Sequence, residues 1–195
     1  MGEQRQDAVV PADAEWVDLT DPLVAEERAR WCGLVDEFTP VEHEQGREMA
    51  RWLRGCVHEG GLSGYTRAVH NHELLGFFNA ETVPYFVSGA PTALADVTSR
   101  IGLRTPETGL LLSCIVRSAN AGAGFGRILV EDAVGLALNM PREKITSILV
   151  RPANDKLRHV WRENHHFAPL GPSRRRRKSR YLHLPVALRE ELETG

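Results

Sequence analysis

The stretch that decides the fold is Leu110-Leu111-Leu112-Ser113-Cys114-Ile115-Val116-Arg117, which runs into Ser118-Ala119-Asn120-Ala121-Gly122-Ala123-Gly124-Phe125-Gly126 and on into Arg127-Ile128-Leu129. Residues 110–116 form a nearly continuous apolar run, the pattern of a short strand covered on both faces. An apolar helix follows the small-residue loop, carrying Ile128, Leu129, Ala133, Val134, Leu136, Ala137 and Leu138, and Pro141 stops it. Residues 145–150 read as the next strand, and Pro152 precedes a helix whose Leu157, Val160 and Trp161 share one face. A helix between two strands predicts an α/β sheet with at least one right-handed parallel crossover.

The loop carries the chemistry. Glycine lets a ligand approach the backbone with no Cβ in the way, and a helix start offers unpaired N–H groups to an anion. The predicted cradle is the backbone of Gly122, Ala123, Gly124, Phe125, Gly126 and Arg127. A Walker loop would need Lys-Ser or Lys-Thr where Arg127-Ile128 stands, and a dinucleotide fingerprint would need G-x-G-x-x-G where the spacing is G-x-G-x-G. Both are excluded, and a loop that only turns a corner is the remaining alternative.

Upstream, residues 1–14 are polar and aperiodic, a flexible N-terminus. Residues 23–35 are rich in helix formers, and Thr39-Pro40-Val41-Glu42 reads as a capping box opening a helix with Met49, Trp52, Leu53 and Val57, ended by Gly60-Gly61. Residues 65–70 and 74–78 are extended runs joined by a turn at His70-Asn71-His72-Glu73. Tyr85-Phe86-Val87 reads as a short strand, residues 91–100 as a helix and 102–109 as a loop. Trp16, Trp31 and Trp52, on or near amphipathic helices, are expected in the core or lining an acceptor pocket. Residues 166–170 and 181–186 read as a terminal strand pair.

The 195 residues, 42% hydrophobic and 26% charged with a net charge of −2, exclude a wholly disordered chain and a coat for nucleic acid. No apolar run approaches the ~18 residues of a membrane helix. The start, Met1-Gly2-Glu3-Gln4-Arg5-Gln6, lacks the marks of a signal peptide or a myristoylation site. Cys32, Cys56 and Cys114 contain no C-x-x-C and indicate neither a disulfide scaffold nor a zinc site. A cytoplasmic protein without membrane attachment is expected.

Cys114-Ile115-Val116, the frame Ala121-Gly122-Ala123-Gly124-Phe125-Gly126 and the helix after it resemble the acyl-CoA-binding core of the GNAT N-acyltransferase superfamily, whose loop reads Q/R-x-x-G-x-G/A. Ala121 replaces the usual Gln or Arg. Residues 150–161, from Val150 through Asn154 to Trp161, resemble the family's strand and N-x-x-A-x-x-L-Y helix, and Phe167 its G-F ending. Leu75-Gly76-Phe77 adds weaker agreement. The resemblance covers roughly residues 110–170 and implies a GNAT-like mixed central sheet of about six to seven strands flanked by helices, with residues 15–195 as one domain.

It also implies a mechanism. The pantetheine arm of acetyl-CoA, or another acyl-CoA, would pair with the strand at Ser113, Cys114, Ile115, Val116 and Arg117. The donor's pyrophosphate would sit on the loop amides. Asn154 would order the pantetheine side, or simply cap its helix. The tyrosine that protonates the leaving thiolate in this family falls at Trp161, whose indole N–H donates a hydrogen bond but transfers no proton near neutral pH. One extra residue separates Trp161 from Phe167, and His166 holds the usual glycine position. Glu107 is a candidate amine base, beside His70, His72 or Glu73 acting through water.

Bland readings stand beside the other candidates. His70-x-His72-Glu73 is a surface turn before it is a metal site, His165-His166 a loop feature, and Cys114 a small buried hydrophobe. Arg174-Arg175-Arg176-Arg177-Lys178-Ser179-Arg180 is a solvated loop, or grips the donor's adenosine phosphate, an acidic carrier protein or an RNA backbone. The leading expectation is transfer of an acyl group from acetyl-CoA to an amine-bearing small molecule or peptide. A second is a GNAT-fold enzyme whose acyl donor is an aminoacyl-tRNA or an acyl carrier protein docked on residues 174–180. A third is a silent binding module. A homodimer is compatible with each.

Overall fold

The computed structural model describes residues 10–20, 23–41, 44–85, 107–122, 124–141, 145–170 and 181–186. Among these, strands β1 (Glu15–Asp18), β2 (Tyr65–His70), β3 (Leu74–Tyr85), β4 (Glu107–Arg117), β5 (Ser147–Val150), β6 (Ala168–Pro169) and β7 (Leu182–Pro185) alternate with helices α1 (Ala25–Glu37), α2 (Glu44–Glu59), α3 (Phe125–Leu138) and α4 (Asp155–His165). They form one seven-stranded sheet of order β1-β2-β3-β4-β5-β7-β6. It is mixed: β4 and β5 run parallel, joined through α3 as the crossover pattern predicts, while β1–β2, β2–β3, β5–β7 and β6–β7 are antiparallel.

The chain divides into two compact units, residues 1–80 with 114–133 and residues 81–113 with 134–195. In the first, α2 buries Gly46, Ala50, Leu53 and Val57, a three- and four-residue spacing that makes one helical face. Ala50, Leu53 and Val57 join Leu19, Trp31, Val35, Phe38, Phe77, Cys114 and Val116 in one apolar cluster. A second cluster joins Val69 and Leu75 to Ala121, Phe125 and Leu129. Asp132 of α3 pairs with Arg67 of β2 at 2.7 Å, and the same guanidinium lies 5.4 Å from the Trp16 ring centroid. Burial holds the Asp132 carboxyl above the ordinary carboxylate range despite that cation. In the second unit all four residues of β5 are buried, as a strand flanked on both sides requires, and Tyr85, Leu149 and Leu170 form an apolar cluster.

Several expectations change. The second helix runs from Glu44, and Pro40 pairs instead with Ser118 in an isolated bridge, while Thr39 Oγ1 reaches its own neighbour, the Glu37 carbonyl. The proline fits there because a bridge partner need not donate an N–H. Trp16 stands on β1, a strand too short for its period to show. His70 ends β2 rather than forming the turn; it is 1% exposed, edge-on to Trp31, so the hairpin turn is residues 71–73. Residues 107–109 begin β4 instead of closing a loop. The predicted helix at 91–100, residues 1–9, Phe86 and Val87, residues 102–106 and the run 174–180 lie outside the described residues.

Candidate functional site

β4 ends where the chemistry was expected. Its parallel ladder with β5 stops at Leu112↔Val150, and the strand continues to Arg117. Leu110, Leu112, Cys114 and Val116 alternate onto the buried face, so the Cys114 thiol belongs to the core, while Ile115 packs with the Phe125 cluster and Ser113 is exposed. Beyond the strand the chain is held on both sides. Ser118 N donates to Leu75 O of β3 (2.8 Å), whereas Arg117 O accepts from Val41 N (3.1 Å) and Ala119 N donates to Thr39 O (2.9 Å). The segment before α2 thus lies along the end of β4.

Two buried side chains, Ala121 (5% exposed) and Phe125 (2%), anchor the glycine loop. Gly122 O accepts from Phe125 N, and Gly124 O from Arg127 N at 2.8 Å, so two of the loop's amides are engaged. The amides of Gly122, Gly124 and Gly126 meet no acceptor among the described residues. Gly124 has φ +87°, a conformation side chains resist. Gly122 and Gly126 differ: each has ordinary φ, and a Cβ built there would touch nothing within 4 Å. Gly126 even weakens α3, since glycine in a helix costs up to about 1 kcal/mol against alanine. Among the described residues nothing requires glycine at these two positions. The Arg127 side chain pairs with Glu131 one turn along, at 2.7 Å.

The same unit holds a cleft of about 110 Å³ with an apolar wall of Leu34, Phe38 and Leu74 and a polar rim that includes Glu37, Glu73 and Asn120. Asn120 Nδ2 donates to Glu73 Oε2 at 2.8 Å, and Asn120 N to Ser118 Oγ at 3.1 Å. Glu73 was among the sequence candidates. Asn120 and Glu37 were not, because a cleft built from a helix end, a hairpin turn and a loop has no local signature.

The second unit holds the remaining candidates. Asn154 caps α4, its Oδ1 accepting from Leu157 N at 2.8 Å. Trp161, 8% exposed, meets Phe167 edge-on at 5.0 Å and lies 5.4 Å from the His165 ring. The Trp161 carbonyl accepts from Phe167 N at 3.2 Å, and His166 sits between them in the left-handed region at φ +59°. That is a helix-ending motif with its apolar contact, and it explains why the resembled family prefers glycine there.

Glu107 opens β4. Its carboxylate accepts from the Tyr85 hydroxyl (2.8 Å) and from Thr146 Oγ1 (3.0 Å), and the Tyr85 oxygen also lies 2.7 Å from Ser147 Oγ. Burial raises the Tyr85 phenol. Glu107 therefore belongs to a polar knot with Tyr85 and Thr146 at the start of β4. Burial also pushes the His183 imidazole below its ordinary value, partly offset by Glu107, and His183 Nδ1 is buried with no hydrogen-bond partner among the described residues. Among the described residues no three His, Cys, Asp or Glu side chains gather as a metal would need, and no helix is long and apolar enough to cross a membrane.

No family model and no curated protein matches the sequence. Solved structures do. The chain resembles a tyrosine-to-phenylalanine mutant of the toxin AtaT bound to the C-terminus of the antitoxin AtaR and acetyl-CoA, with TM-score 0.62 and 16% identity over 94% of this chain and 99% of that one. AtaT complexed with acetyl-methionyl-tRNAfMet gives TM-score 0.62 and 15% identity over 93% and 99%. A mutant of KacT gives TM-score 0.62 and 15% identity over 92% and 99%.

Proposed function

We propose that this chain, whose fold is the GNAT fold expected from its sequence, transfers an acyl group from an acyl-CoA, acetyl-CoA first, to an amine carried on a charged tRNA. The observation that carries the donor half is the pair Gly122 and Gly126, glycines that no contact among the described residues requires, beside the amides of residues 122, 124 and 126 at the start of α3, which meet no acceptor among those residues. Unpaired N–H groups and the positive end of a helix dipole suit a diphosphate. The end of β4 would run alongside the pantetheine arm. The amine nitrogen then attacks the thioester carbonyl, its C–S bond breaks, the amine's proton passes to water and the thiolate leaves.

The acceptor half draws on the likeness to AtaT, which has been seen with acetyl-methionyl-tRNAfMet. The sequence reading put tRNA on the donor side. In the present reading the cations of residues 174–180 serve the acceptor's phosphates instead. A second reading, a small cationic amine, is favoured by the cleft rimmed with Glu37 and Glu73.

Acetyl-CoA at 100 times its Kd should raise stability by about 2.7 kcal/mol, read as a thermal shift. Labelled acetyl should then appear on aminoacyl-tRNA in preference to free amines. No shift at millimolar acetyl-CoA overturns the donor half; a shift with label only on free amines overturns the tRNA half.

A further inference from the structure

The side chain of Arg117 turns back on the loop that follows it. Its Nη1 lies 2.6 Å from the Ala121 carbonyl oxygen and 3.4 Å from that of Ser118. The peptide between Ala121 and Gly122 is planar and trans, so its C=O and N–H point in opposite directions. Holding the Ala121 oxygen therefore also aims the Gly122 N–H. Arg117 itself is fixed, since its own carbonyl accepts from Val41 N at 3.1 Å. The guanidinium is only half-exposed, and among the described residues it meets no carboxylate. A half-buried cation normally finds a counter-charge, and here its partners among the described residues are carbonyl oxygens.

We propose that Arg117 is the positioning residue of the donor's diphosphate site: it turns the Ala121–Gly122 peptide so that the amide end faces the anion and the carbonyl end faces the guanidinium, and it adds a positive charge to the loop. This inference rests on the donor reading above. Without the guanidinium, the Ala121 carbonyl is free to rotate toward the diphosphate, where its negative end repels. The effect is confined to the phosphate-bearing part of the donor. An acyl-pantetheine, which has the thioester but no diphosphate, does not reach the loop.

The test compares binding of CoA and of acetyl-pantetheine by calorimetry for the wild type, Arg117→Met and Arg117→Lys. The methionine variant keeps an apolar stem and removes every donor; the lysine variant keeps a charge and a shorter reach. Wild type should bind CoA more tightly than acetyl-pantetheine. Arg117→Met should weaken CoA about tenfold or more, the scale of one charge-assisted hydrogen bond, and leave acetyl-pantetheine within twofold. Arg117→Lys should fall between, and it carries the same test if the methionine variant does not fold. Equal weakening of both ligands, or of neither, overturns the positioning role. A wild type that does not distinguish the two ligands overturns the donor reading itself.

Discussion

At the residue scale, glycines of the same loop do different work, and substitution separates them. Gly124 holds φ +87°, so Gly124→Ala should cost about 1–2 kcal/mol of stability, measured as a lower urea midpoint, with donor binding falling too as the loop shifts. Gly122→Ala, with no described atom within 4 Å of the new methyl, should leave stability within about 0.5 kcal/mol yet weaken acetyl-CoA binding if the donor's diphosphate sits there as proposed. Unchanged binding in a stable Gly122→Ala protein would remove the main support for the donor site. His166 gives the opposite sign. Its φ of +59° strains a residue with a Cβ, so His166→Gly should stabilise the protein by about 0.5–1 kcal/mol, after the greater flexibility of glycine in the unfolded chain is subtracted. A lower melting temperature would show that the imidazole makes contacts worth more than the strain.

At the scale of elements, β7 carries a pH dependence. His183 is folded with a depressed imidazole value, so the unfolded chain takes up the proton more readily than the folded one. Its contribution is present above the ordinary imidazole value of about 6.5 and is lost as pH falls through that value toward the depressed one. Urea midpoints at pH 8 and at pH 5.5 should show acid destabilisation that His183→Gln reduces; an identical pH slope in the variant would exclude this residue as a source. How far these elements could be read from sequence follows from their periods. α3, β4 and β5 were legible because apolar runs of that length have few alternatives, and Asn154 was legible as a cap because its side-chain oxygen suits an exposed helix start. β1 was not, since four residues with half-exposed centres carry no alternation. The opening of α2 misled because Thr-Pro-x-Glu satisfies a local rule that pairing of residues 39–41 with the end of β4 overrides. Arg117 was read as part of the donor strand, and the return of its side chain onto the Ala121 carbonyl four positions on has no local sequence signature.

At the scale of the whole molecule, a net charge of −2 opposes unspecific attraction to nucleic acid, so tRNA binding must be local. The six cations of residues 174–180 bound the number of phosphates engaged there. The slope of log affinity against log salt should therefore lie no steeper than about −5, and alanine at residues 174–177 should flatten it. A slope near zero, or one untouched by those substitutions, would move the tRNA contact elsewhere. At 12–16% identity to the solved toxins, little of the sequence is shared while the order of elements is kept.

The last strand to be synthesised among those described is not the last in the sheet. β7 lies between β5 and β6, and β6 joins the sheet through β7 alone. On the ribosome, β5 must therefore wait with an open apolar edge while the next thirty or so residues emerge. A stop codon just before Leu182 would strip away two strands for the loss of one and leave that edge open to other nascent chains.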